Sequence, residues 1–248
     1  VATVHISVND GESIENEIIY GTIKGLKIDR ETGENIAGAL FGMFGINETE
    51  FTEETAILTA ESNDEGIFEF TDIPYGEYIV RELKPAEGYL PNKENYTVTI
   101  SENKEIIEIT VENDKIPELG TTATIDSKKE VGATEVFTLE DVVEYKHLVP
   151  GKEYTVKGVL MDKATGKELL IDGKKITSEV TFIPDEPSGS VTVGFTFDAR
   201  YIKEDTDIVV FESLYSEDKE LAVHADIEDE GQTVTVKIPE IGTKASID

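Results

Sequence analysis

Cysteine is absent from the chain, which excludes disulfide bonds, thiolate nucleophiles and thiolate metal centres. Long apolar runs are absent too: none approaches the roughly 18 residues of a membrane helix, and no apolar leader stretch lies at the start. Basic residues are scarce, with 22 Lys and Arg against 53 Asp and Glu, for a net charge of −31. Such a charge repels phosphate backbones and anionic headgroups, so nucleic acid and membrane surfaces are excluded as partners. No stretch sustains the 3.6-residue periodicity of an amphipathic helix. What is present is 248 residues, 38% hydrophobic and 30% charged, with enough apolar material for cores and enough length for two ordinary domains.

An internal repeat gives the organisation. Lys115–Asp126 reads KIPELGTTATID and Lys237–Asp248 reads KIPEIGTKASID, with nine of twelve positions identical at a spacing of 122 residues. A self-match at that period marks the opening strand of successive modules. A fainter echo relates Ile14–Ile18 (IENEI) to Val111–Ile116 (VENDKI). The expected organisation is a tail of a preceding module at 1–20, whole modules at 21–117 and 118–240, and the first strand of a further module at 241–248. The IPELG and IPEIG strings recur at these joins and read as linkers rather than sorting motifs.

Short runs rich in Val, Ile, Thr, Tyr and Phe are separated by turn clusters such as Glu31-Thr32-Gly33, Asn63-Asp64-Glu65-Gly66 and Pro184–Gly189. Strands are expected at 22–29, 38–45, 55–61, 66–71, 77–83, 95–101 and 105–113. A second set is expected at 121–126, 142–146, 153–161, 176–182, 190–197, 207–215, 219–224 and 232–237. Leu139–Tyr145 is left open between strand and a turn or two of helix. The fold class is all-β: two β-sandwiches or related barrels in succession.

Alternation along strands singles out a first constellation. Ile23, Gly25 and Lys27 share a face, as do Tyr78, Val80 and Glu82, and Ile107, Ile109, Val111 and Asn113. Three polar groups therefore end up on largely apolar faces, with an ordinary surface ion pair between Lys27 and Glu82 as the competing reading. Lys24, three residues from Lys27, points to the opposite face. The blocks GLKIDRETGENIAGALF (25–41), DIPYGEYIVRELKPAEGYL (72–90) and TVEN (110–113) resemble the CnaB-type domains of Gram-positive surface adhesins and pilins. That resemblance covers about 21–117 and implies an isopeptide bond between Lys27 and Asn113, assisted by the buried acid Glu82. The chemistry is consistent with these residue types. Burial favours a neutral amine, which alone can attack, and a protonated carboxyl, which can donate to the Asn113 carbonyl and shuttle protons.

A second constellation lies in the second module. GTTATID (120–126), LVPGKEYTVKGVLMD (148–162), VVFE (209–212) and HADIEDEGQTV (224–234) resemble the ester-bond domains, or VaFE repeats, of Gram-positive adhesin stalks. The resemblance spans about 118–240 and implies that the Thr121 hydroxyl attacks the Gln232 amide, with Glu212, His224 and Asp229 as helpers. Alternation agrees: Thr121, Ala123 and Ile125 share a face, as do Gln232, Val234 and Val236, while Glu212 is the one acid on the face of Ile208, Val210 and Leu214. A hydroxyl needs a base, for which His224 is suited, and Asp229 can orient the imidazole. Thr122 is the rival nucleophile, facing the other way. Thr243 and Asn16 belong to neighbouring modules and lack partners in this chain.

The two resemblances imply immunoglobulin-like or CnaB-type sandwiches forming a structural stalk of a Gram-positive surface adhesin. The stalk is extracellular and cell-wall anchored through a part outside this segment. It needs no cofactor or metal, its partners are neighbouring modules of the same chain and an unidentified host ligand, and its chemistry is single-turnover rather than enzymatic. Competing readings are a ligand-binding module using the 42–56 stretch (GMFGINETEFTEETA) and an extracellular hydrolase using His224, which no G-x-S-x-G motif supports. Calcium is a further alternative, but the acidic run Asp226–Gly231 reaches Lys237 where a calcium loop needs Glu. Zinc has only the widely separated His5, His147 and His224.

Overall fold

The computed structural model describes residues 18–240, so the expectations placed on His5, Asn16, Thr243 and the 241–248 strand lie outside the described residues. The chain divides into two compact units that part between Asn113 and Asp114. Both are β structures, and a single short 3-10 turn, Ala199–Tyr201, is the one helical element among the described residues.

The first unit contains β1 (Tyr20–Asp29), β2 (Leu40–Gly45), β3 (Leu58–Glu61), β4 (Ile67–Pro74), β5 (Gly76–Lys84), β6 (Tyr96–Ile100) and β7 (Ile106–Asn113). They form two sheets, ordered β4-β1-β7 and β3-β2-β5-β6. The first and last strands are direct neighbours and run parallel, with Lys27 opposite Val111 and Asp29 opposite Asn113. Alternation sends Ile23, Gly25, Lys27 and Asp29 inward, to a core built on Phe41, Phe68, Phe70, Val80, Ile100 and Val111. Phe41 and Phe68 stack with centroids 3.7 Å apart. Gly25 makes room for them: a Cβ there would sit 1.9 Å from the Phe68 ring. The 42–56 stretch is part strand and part cover. Phe44 of β2 meets Phe51 edge-on at 5.0 Å, and the Arg81 guanidinium lies 4.6 Å above the Phe51 ring.

The second unit contains β8 (Glu118–Ile125), β9 (Glu130–Gly132), β10 (Val136–Lys146), β11 (Tyr154–Asp162), β12 (Lys167–Glu168), β13 (Leu170–Ile171), β14 (Lys174–Lys175), β15 (Thr177–Phe182), β16 (Gly189–Asp198), β17 (Thr206–Ser216), β18 (Lys219–His224) and β19 (Thr233–Lys237). One sheet is β16-β10-β8; the larger is β12-β11-β17-β19-β9, with β15 on β11 and β18 on β17. The segment left open at 139–145 lies inside β10, whose burial alternates residue by residue along its whole length. Sheet pairing outweighs the brief helical pattern there. β17 organises the site: β18 pairs with its C-terminal half and β19 with its N-terminal half. Leu139, Val143, Val156, Phe195, Val210, Leu214, Val234 and Val236 fill the space between the sheets.

Candidate cross-linking sites

In the first unit β1, β5 and β7 bring Lys27, Glu82 and Asn113 together in the core, at 0%, 6% and 2% exposure. The Asn113 Nδ2 donates to Glu82 Oε1 at 2.8 Å, and the Lys27 ammonium lies 3.9 Å from the same oxygen. Lys27 Nζ also donates to the Val111 carbonyl at 3.2 Å. The other carboxyl oxygen, Glu82 Oε2, accepts the Asn92 backbone N–H at 2.7 Å. Burial raises the Glu82 pKa, and the hydrogen bonds from Asn92 and Asn113 and the charge of Lys27 oppose it. Lys24 is on the surface, 3.7 Å from Glu69.

Two residues here escaped the sequence reading. Asp29 continues the inward row of β1 and is almost fully buried. It accepts the N–H groups of Glu31 and Thr32, while Tyr89 donates its hydroxyl to Oδ2 at 3.0 Å. Asn92 sits in a loop, where no periodicity marks it. Besides its backbone bond to Glu82, its Nδ2 donates to the Glu112 carbonyl at 3.0 Å.

In the second unit Glu212 and Gln232 are buried side by side, with Gln232 Nε2 donating to Glu212 Oε2 at 2.7 Å. His224 is the cross-strand partner of Glu212, and its Nε2 lies 2.9 Å from Asp229 Oδ2. That contact holds the Asp229 pKa below the usual carboxylate range. Asp229 Oδ1 accepts the Gly231 N–H at 2.7 Å, which ties the loop before β19 to the His–Asp pair. The Ala123 N–H donates to the Gly231 carbonyl at 3.0 Å, aligning β8 with the residue before Gln232. Thr121 Oγ1 is buried without a hydrogen-bond partner, as is Gln232 Oε1.

The residue missed in this unit is Asp141. It is fully buried on β10, between Leu139 and Val143 on the inward face and directly opposite Ala123. The row Phe137, Leu139, Asp141, Val143, Tyr145 was the signal, one acid among apolar residues at every second position. Leaving 139–145 open between helix and strand hid it. Asp141 and Glu212 share one buried site, where both Asp141 oxygens and Glu212 Oε1 lack a hydrogen-bond partner, and two neighbouring buried carboxyls cannot both be ionised. Burial first, then the neighbouring Asp141 carboxyl, pushes the Glu212 pKa up to about 10. Burial likewise raises Asp141, against the neighbouring Glu212 carboxyl and the charges of His224 and Lys129. The Glu212–Asp141 pair thus retains a proton at neutral pH.

The two sites repeat one arrangement. In each, a buried acid faces the nitrogen of a side-chain amide, and the amide oxygens, Asn113 Oδ1 and Gln232 Oε1, have no hydrogen-bond partner. Glu82 is therefore placed toward the leaving nitrogen rather than the carbonyl that the sequence chemistry suggested, and Glu212 meets the Gln232 nitrogen in the same way. Among the described residues no group of three or more His, Cys, Asp and Glu is arranged to hold a metal ion.

A family model described as a prealbumin-like fold domain matches residues 21–115, and one described as a T-Q ester bond containing domain matches residues 117–236. A search of curated proteins found no match. Among solved structures, BcpA, the major pilin subunit of Bacillus cereus, aligns at 15% identity and TM-score 0.52, over 88% of this chain and 69% of that one. That likeness is one of fold. A bacterial adhesin from Mobiluncus mulieris containing intramolecular disulfide, isopeptide and ester bond cross-links aligns at 20% identity and TM-score 0.44, over 50% of this chain. The present chain spans 58% of that adhesin's length. Together the two family models take in all of residues 21–236 except Ile116, and the chain there belongs to these two domain families, as a prealbumin-like fold domain followed by a T-Q ester bond containing domain.

Proposed function

We propose that this chain is a stalk segment of an extracellular, cell-wall-attached adhesin or pilin, hardened by two covalent bonds that it makes itself. The observation that carries the proposal is the repeated arrangement: a nucleophile-bearing residue of the first strand, and an amide at or just before the last strand, buried with an acid on its nitrogen.

In the first unit the Lys27 amine attacks Asn113 Cγ as its free base. The Nζ–Cγ bond forms, the Cγ–Nδ2 bond breaks, and one proton passes from the amine to the leaving nitrogen through Glu82, releasing ammonia. In the second, His224 takes the Thr121 hydroxyl proton as Oγ1 attacks Gln232 Cδ, with Asp229 holding the imidazole and offsetting its charge. Glu212 gives its proton to Nε2, ammonia leaves, and the proton on His224 returns to the Glu212–Asp141 pair. The full burial of Gln232, Glu212 and Asp141 keeps water from competing with Thr121 and from hydrolysing the ester. Each reaction happens once per molecule.

The bonds close loops between positions 27 and 113 and between 121 and 232. By the loop-entropy relation used for disulfides, each contributes about 4.5–5 kcal/mol. Pulling force passes through covalent bonds from first strand to last, which shields the strands between. Neither bond can be reduced, and the partners of the segment are its neighbouring modules.

Intact-mass measurement tests the reading. The chain should be two ammonia molecules lighter than its sequence, with peptides joined at Lys27–Asn113 and Thr121–Gln232. Hydroxylamine should cleave the second link and spare the first. A mass equal to that of the sequence refutes the proposal.

A further inference from the structure

One cation beside the second site has no part in the chemistry above. Lys129 lies between β8 and β9, with its side chain largely on the surface and its ammonium turned toward the loop before β19. Its Nζ donates to the Gly231 carbonyl at 2.5 Å, with a longer contact of 3.4 Å to the Glu230 carbonyl. Its own carbonyl accepts the Thr235 N–H at 2.7 Å. Lys129 therefore grips the chain on both sides of Gln232, one residue before it and three residues after. The Gly231 carbonyl it holds is also the acceptor for the Ala123 N–H of β8, the strand that carries Thr121. Gly231 packs close against the His–Asp pair and β8: a Cβ there would stand 2.9 Å from Asp229 Oδ1 and 3.5 Å from the Thr121 carbonyl oxygen.

The geometry points to Lys129 as a positioning residue for the Thr121–Gln232 reaction: its ammonium fixes the Gly231 carbonyl, so that the Gln232 amide stays against Glu212 and aligned with β8. This rests on the ester reading. The charge matters as well as the reach. Burial lowers the Lys129 pKa against the opposing charges of Asp141 and Asp229, which places the ammonium within the field of both carboxylates. There its charge favours the ionised form of Asp141. Reacting groups held loosely by about 1 Å lose up to about a hundredfold in rate, so a clamp one residue from the electrophile has a large lever.

The test uses the full chain made by cell-free synthesis, with loss of ammonia from each unit followed by mass and peptide mapping. Lys129→Met should slow closure of the Thr121–Gln232 link at least about tenfold, and Lys129→Arg, which keeps charge and donors, should return it to within about threefold of wild type. Closure at Lys27–Asn113 in the same molecules should not change. In a Thr121→Ala background, where no ester forms, the Met and Lys forms should unfold at the same urea concentration, because the side chain is superficial. Closure of Lys129→Met at the wild-type rate overturns the inference. So does slow closure of both variants accompanied by lower stability of the unbonded background, which is the signature of lost packing. A wild-type chain that never loses ammonia from residues 118–240 refutes the ester reading itself, and the role of Lys129 with it.

Discussion

Thr121→Ala isolates the energetic effect of the second cross-link, because so little else is lost with it. The substitution removes a methyl and a hydroxyl. The hydroxyl oxygen has no hydrogen-bond partner, so no bond is broken by deleting it. The methyl is worth about 0.8 kcal/mol. The link between positions 121 and 232 contributes about 4.8 kcal/mol through chain entropy. The expected loss is therefore about 5–6 kcal/mol, nearly all of it from the bond. For a domain the size of residues 117–236, the unfolding entropy is about 0.25 kcal/mol per degree, so the midpoint should fall by about 20 °C. Scanning calorimetry of the full chain reads this directly, with the transition of the first unit as an internal reference, and the intact mass should fall short of the variant's own sequence by one ammonia instead of two. A fall of less than about 5 °C, with the ammonia retained, would refute the entropic account. Continued loss of ammonia from this unit would refute Thr121 as nucleophile.

Glu82→Gln should leave Lys27 and Asn113 in place but unjoined, giving a chain one ammonia rather than two lighter than its own sequence. A neutral amide cannot shuttle the proton, nor accept from both Asn92 and Asn113, and a continued deficit of two ammonia molecules would remove Glu82 from the reaction. In the unbonded Thr121→Ala chain, stability should fall as pH rises from 5 toward 10. Folded Glu212, pushed up to about 10, keeps a proton that the unfolded chain releases above its ordinary value of 4.5, and Asp141 acts in the same direction. A urea midpoint that stays level or rises over that range contradicts the buried-acid assignment, and adding Glu212→Gln should flatten the slope. Gly25→Ala should destabilise the first unit by about 3 kcal/mol or more by driving a methyl into the Phe68 ring, read as a lower denaturation midpoint of that unit. An unchanged midpoint would mean that the Phe41–Phe68 stack can shift freely.

The rows Ile23-Gly25-Lys27, Tyr78-Val80-Glu82 and Val111-Asn113 were legible because strand geometry fixes which side chains share a face, whatever the partner strand. Pairing was not legible. Nothing local in Tyr20–Asp29 says that its neighbour is the last strand and runs parallel to it, since that depends on how distant segments pack. Asp141 was hidden by a run that fits two periodicities, and only its place beside β8 and β16 decides between them. Asn92 and Lys129 act from loops and turns, where no period exists. The acids themselves were legible, but not which amide atom each would meet. That depends on side-chain rotation inside a packed core.

The positions of the residues proposed to be bonded, near the end of β1, midway along β8 and at or just before the last strand of each unit, set how far the chain can lengthen. If unbonded, the segments between 27 and 113 and between 121 and 232 would pay out about 300 Å and about 390 Å of contour when pulled straight. With both bonds closed, those lengths are locked away, and only the few residues outside each loop can extend. A filament built this way behaves as a cord of fixed length, which passes tension to its attachment points with little recoil or damping. In a force–extension trace each intact unit is recognised by a step that never occurs, and hydrolysis of the ester would appear as a single abrupt gain of the larger length.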